Sequence, residues 1–95
     1  MHIKFEWDEE KRRLNREKHG LDFADVVRFD WAQAVHEIDD RRDYGELRMV
    51  SLVTLDGRLH VCAWTPRGDA MRIITMRKAN DREKAAYRTL PAPHG

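Results

Sequence analysis

The stretch Leu47-Arg48-Met49-Val50-Ser51-Leu52-Val53-Thr54-Leu55-Asp56-Gly57-Arg58-Leu59-His60-Val61-Cys62-Ala63-Trp64-Thr65 decides the fold. Asp-Gly between two strand-like runs signals a two-residue type I′ hairpin, because both central residues of that turn need positive φ. The turn sets the register, with Leu55 opposite Arg58. One face then carries Arg48, Val50, Leu52 and Thr54 beside Leu59, Val61, Ala63 and Thr65. The other carries Met49, Ser51 and Val53 beside His60, Cys62 and Trp64. The first face has an apolar centre and is expected to form the core beneath the helices.

Period-two patterning extends on both sides of the hairpin. Ala34 to Ile38 reads as a strand that runs into the polar loop Asp39 to Glu46. Pro66-Arg67-Gly68-Asp69 is a turn, its Arg-Gly-Asp serving turn chemistry rather than adhesion. A fourth strand follows from Ala70 to about Lys78. Alternation puts Arg72, Ile74, Met76 and Lys78 on one side of it and Met71, Ile73, Thr75 and Arg77 on the other, so Arg77 and Lys78 point opposite ways unless a bulge intervenes.

Helix signals flank these strands. Asp8 caps a helix with Glu9 and Glu10 in its first turn, and Lys18-His19-Gly20 stops it. Leu14 is its only strongly apolar residue, so the contact stripe is thin and Lys11 and Lys18 border it. Asp22, with Leu21 stapling onto Val26, starts a second helix that buries Phe23, Val26 and Val27. Asn80 and Glu83 form a capping box for a last helix from Asp81 to about Leu90, with Ala85, Ala86, Tyr87 and Leu90 free to pack. The expectation is an α+β domain over residues 1–90, with two N-terminal helices and a C-terminal helix on a largely antiparallel four-stranded sheet. The tail at 91–95 is expected to fray.

Composition narrows the function. At 95 residues the chain supports one core and no large internal cofactor pocket. No apolar run approaches a membrane span and no secretory signal is visible, so a cytoplasmic protein is expected. Cys62 is a lone cysteine in an apolar run and reads as a buried structural thiol. The net charge of +1 hides a split: Asp30 to Glu46 carries six acids against two bases, and Met71 to Leu90 six bases against two acids. Such a split suits a domain that offers one surface to a polyanion. The acidic loop Asp39 to Glu46 is either a docking place for a basic partner or a solvated turn.

The five histidines fall singly on different elements, and there is no phosphate loop or paired cysteine, so neither a metal site nor a cofactor is expected. His60 reads better as a half-buried strand residue than as a general base. Arg72, Arg77 and Lys78, followed by the helix start at Asn80, read either as a phosphate- or RNA-binding group or as a solvated basic rim. Trp64 and Tyr87 offer stacking surfaces, though aromatic residues in so small a domain more often serve the core.

Phe5-Glu6-Trp7-Asp8 with Lys11, Asn15 and Lys18-His19-Gly20 resembles the BrnT family of bacterial type II toxins. So do Phe23, Arg48, Asp56-Gly57-Arg58, and Arg72-Ile73-Ile74 through Arg77-Lys78-Ala79 to Glu83 and Tyr87, in order along nearly the whole chain. The chain departs from the family at Thr75-Met76 and at His60. The resemblance implies a RelE-like fold and a ribonuclease that arrests translation. It also implies an antitoxin partner with a DNA-binding domain, expected to be ribbon-helix-helix, so that DNA is met only through that partner. Metal-independent RNA cleavage needs a base for the ribose 2′-OH, cations at the phosphorane and a proton for the leaving oxygen. The expected catalytic set is Arg77, Lys78, Lys18, His19 and Glu83; the expected RNA-binding set is Arg72, Arg48, Lys11 and Tyr87. The rival reading is a non-catalytic module that binds RNA or protein with the same basic face.

Overall fold

The computed structural model describes residues 3–90; the tail expected to fray lies outside them. Chain order is strand β1 (Lys4–Trp7), helix α1 (Glu9–His19), 3₁₀ helices Phe23–Arg28 and Trp31–Gln33, strands β2 (Val35–Ile38), β3 (Met49–Leu55), β4 (Arg58–Arg67) and β5 (Ala70–Lys78), and helix α2 (Asp81–Thr89). The sheet order is β1-β5-β4-β3-β2, antiparallel except that β1 runs parallel to β5. The fold is α+β as expected, but the sheet is mixed and five-stranded. Phe5-Glu6-Trp7, read as the approach to a helix, is a strand that pairs with Met71, Arg72 and Ile73. The second N-terminal helix is a 3₁₀ segment: Asp22 accepts from the Ala24 amide, two residues on, and the chain tightens instead of winding into an α-helix.

The hairpin forms with the expected register. Leu55 faces Arg58, and Asp56 and Gly57 have φ of 51° and 77°. The capping signals hold as well: Asp8 accepts from the Lys11 amide, Gly20 ends α1 with φ of 72°, and Asn80 and Glu83 complete a reciprocal box on α2.

The core lies on the opposite face from the one expected. Val53 and Cys62 are fully buried with Ile73 and Met76 under Phe23, Val26 and Phe29. The polar residues on this face are satisfied where they stand. The fully buried Ser51 hydroxyl accepts from Trp64 Nε1 at 2.7 Å and meets His36 Nδ1 at 2.6 Å. His60, 3% exposed, meets the Arg58 carbonyl at 2.9 Å and packs against Phe29. It is a core residue, and Cys62 is a buried thiol whose pKa burial pushes up to about 12. The face expected to be the core carries a smaller cluster, Leu59, Val61 and Ala79 with Val50, Leu52 and Tyr87, covered by α2. Ala85, Ala86 and Leu90 stay exposed, as does Val27.

Helix α1 is anchored by a polar residue. Leu14 is exposed, and Asn15 is buried at 6% exposure. β1 ends opposite Ile73, which leaves the outer edge of β5 unpaired beyond it. There the Asn15 amide takes the place of a strand, donating to the Met76 carbonyl at 3.0 Å and accepting from the Met76 amide at 3.1 Å. It also donates to the Leu21 carbonyl, which fixes the chain after the helix.

Candidate functional site

Two neighbouring hollows lie between α1, β5 and the loop before β3. The first, about 340 Å³, is lined by Lys11, Lys18, His19, Arg48, Leu14 and Thr75 among others, and no carboxylate is in its wall. The second, about 370 Å³, is lined by Arg48, Thr75, Ala63, Arg77, Glu83 and the acidic segment Glu37 to Asp40 among others. Arg48 and Thr75 belong to both.

Local structure accounts for each position. Gly20 adopts the left-handed conformation and its amide bonds the Arg16 carbonyl at 2.9 Å, so α1 stops directly after Lys18 and His19 and presents them at its end. A β-bulge interrupts β5, because Ala63 faces Thr75 while Trp64 faces Ile73, leaving Ile74 extra. Beyond the bulge Thr75 and Arg77 project with Arg72 from the face that holds both hollows, and Met76 rejoins Ile73 in the core. The irregular apolar spacing Ile73-Ile74-Met76 was the available sign of this bulge.

Arg48 is held from behind. Asp39, its side chain 1% exposed, accepts two bonds from Arg41 at 2.8 Å and one from Tyr44 at 3.1 Å, with Arg48 Nε 3.4 Å away. The Arg48 guanidinium also lies 4.5 Å over the Tyr44 ring, and its Nε is buried without a hydrogen bond. The Arg41 guanidinium holds the Asp39 carboxyl well below the usual range. The loop is therefore not merely solvated: Asp39 builds the wall of the site. The sequence offered no signal for this, since Asp39 looks like any other acid of its loop.

Arg77 makes a two-bond pair with Glu83 at 2.7 Å, and Glu83 also accepts from the Asn80 amide at 2.9 Å. The Arg77 guanidinium keeps the Glu83 carboxyl below its usual pKa. Burial, then Lys18, then Arg77, lower the pKa of His19, so its imidazole is neutral near pH 7.

The expected residues divide accordingly. Lys11, Lys18, His19, Arg48, Arg77 and Glu83 gather around the paired hollows. Lys78 does not join them: as the last residue of β5 it lines a separate hollow with Tyr87. Arg72 lines neither of the paired hollows and instead meets Glu6 of β1 at 3.4 Å. Thr75 at the shared wall and Asn15 beneath the first hollow were not among the expected site residues. Among the described residues no cluster of His, Cys, Asp or Glu could hold a metal, and no helix is long and apolar enough to cross a membrane.

The family model described as "Ribonuclease toxin, BrnT, of type II toxin-antitoxin system" matches residues 7–83. The crystal structure of the Brucella abortus ribonuclease toxin BrnT is similar at 31% identity and a TM-score of 0.64, covering 84% of this chain and 100% of that one. No curated protein matches the sequence. Because the family match spans α1, Arg48, β5 and Glu83, and so every expected residue of the paired hollows, the chain belongs to the BrnT family of ribonuclease toxins of type II toxin-antitoxin systems.

Proposed function

We propose that this chain, as one toxin domain over residues 1–90, is a metal-independent endoribonuclease that cleaves RNA and arrests translation in the cytoplasm. An antitoxin with a ribbon-helix-helix DNA-binding domain neutralises it. The observation that carries this reading is the first hollow, where Lys11, Lys18, His19 and Arg48 converge without a carboxylate beside them. Cations without acids suit a phosphodiester and the phosphorane that forms from it.

The neutral His19 imidazole takes the proton of the ribose 2′-OH, whose oxygen attacks the adjacent phosphorus. Arg48 and Arg77 stabilise the charge that grows on the non-bridging oxygens. The bond from phosphorus to O5′ breaks, and the Lys18 ammonium protonates the departing oxygen, leaving a 2′,3′-cyclic phosphate and a 5′-hydroxyl. Glu83 acts by orienting Arg77.

Inducible expression with growth and RNA integrity as readouts tests the proposal. Wild type is expected to degrade RNA and stop growth, and His19→Ala to lower the cleavage rate by about 10²–10⁴-fold. Intact RNA and normal growth under wild-type expression would overturn it. The pH profile gives a second check. Since His19 must be neutral, activity rises with pH through a pKa below the 6.5 of a free imidazole. Arg77→Gln removes one cation that lowers that pKa, so the acid limb shifts to higher pH; a limb that stays in place counts against His19 as the base.

A further inference from the structure

On the side of α2 towards the β3–β4 turn lies a third hollow of about 440 Å³, which shares no lining residue with the paired hollows. Three elements supply its cations. Arg58 is the first residue of β4, Lys78 the last of β5, and Lys84 and Arg88 stand one turn apart on α2. No carboxylate is in its wall. Most arginines elsewhere are neutralised: Arg12, Arg13, Arg28, Arg41, Arg67, Arg72 and Arg77 each have a carboxylate within 4 Å. Around this hollow, among the described residues, only Lys84 has one, Asp81 at 4.0 Å.

Four cations about one concavity repel one another when it is empty, and a polyanion relieves that cost. The wall between them is built for more than charge. The Tyr87 ring packs with Leu59, and its hydroxyl donates to the Gln33 carbonyl at 3.0 Å, so the ring is held in place. An ordered aromatic ring beside several cations is the pairing that single-stranded nucleic acid uses, a base or sugar on the ring and phosphates on the charges. Arg77 and Lys78 are consecutive, and the end of β5 contributes Arg77 to the second of the paired hollows and Lys78 to this one.

We propose that this third hollow is an accessory subsite that holds the RNA strand outside the cleaved step; the proposal rests on the ribonuclease reading. The test is a variant with Arg58→Gln, Lys84→Gln and Arg88→Gln together, none of which belongs to the paired hollows. The binding probe is a single-stranded RNA of about 20 nucleotides, fully 2′-O-methylated so that it cannot be cleaved. Three lost phosphate contacts should reduce the slope of log K against log salt by about 2 and raise Kd by about 10–100-fold near 0.1 M salt. On cleavable RNA of that length KM should rise with kcat unchanged, while the shortest cleaved oligonucleotide should be turned over as by wild type. Unchanged Kd and salt slope would overturn the subsite, and so would an equal KM rise on the shortest oligonucleotide. Failure of the ribonuclease reading looks different: wild type then cleaves no RNA of any length, while the methylated strand still reports on the hollow. Loss of binding to a polyglutamate peptide, with RNA binding untouched, would reject the subsite in favour of an acidic protein partner.

Discussion

Replacing Arg48 by alanine is expected to lower kcat/KM for RNA cleavage by about 10²–10³-fold, the loss typical of removing one preorganised donor to a developing oxyanion. Arg48 is the one cation common to both of the paired hollows, and its side chain is only 22% exposed. Its position is determined from behind by Asp39 and by the Tyr44 ring rather than by a flexible stem. Arg48→Lys should recover only part of the rate, because a point charge neither stacks on Tyr44 nor presents a planar fork to phosphate. Tyr44→Ala should give a smaller loss that acts through the placement of Arg48. Asp39 keeps its bonds from Arg41 in all these variants, so the circular dichroism spectrum should stay native. Wild-type turnover by a folded Arg48→Ala protein would remove the centre of the proposed site.

What the sequence made legible was local. The Asp56-Gly57 turn, the Gly20 stop and the Asn80/Glu83 box each depend on residues a few positions apart, and each forms as read. β1 was missed because its four residues are a strand only by pairing with β5, more than sixty positions away. The inverted core has a different cause. Both faces of the β3–β4 hairpin are largely apolar, and the apolar centre of the Val50, Leu52, Leu59 and Val61 face favoured that side. The outcome is decided by where Phe23, Val26 and Phe29 land, and by the partners that let a buried hydroxyl and imidazole stay on that side. Hydrophobic pattern alone could not choose between the faces.

The site was legible to a similar depth. Lys18 and His19 could be placed at a helix end because Gly20 stops the helix, and Arg77 because it follows a strand and precedes a cap. Grouping Arg77 with Lys78 followed chain proximity, whereas strand alternation separates them. Treating the acidic loop as one charged unit hid the role of Asp39, which differs from Asp40 and Asp43 only in being folded under Arg41, Tyr44 and Arg48. Pairings of this kind arise from tertiary closure of a loop and leave no periodic trace.

Asn15 carries the largest expected effect on stability. Helix α1 has little apolar surface to bury, with Leu14 in solvent, so its attachment relies on one side-chain amide far more than helices usually do. Asn15→Ala would leave the Met76 amide and carbonyl without the partners they have now, in a part of the protein closed to water. At about 1–3 kcal/mol for each unpaired buried group, the expected loss is about 2–4 kcal/mol. For a domain of this size that lowers Tm by more than about 10 °C in a thermal melt. Asn15→Asp should do no better, because a carboxylate accepts from the Met76 amide but has no proton to donate to its carbonyl. Asn15→Leu separates the alternatives: if apolar contact were what held α1, leucine would restore the melt, whereas here it should remain as unstable as alanine. Lys11, Lys18 and His19 ride on the same helix, so the folded fraction of an Asn15 variant should also show a lower kcat, as the base drifts from the edge of β5 that Asn15 now holds beside it.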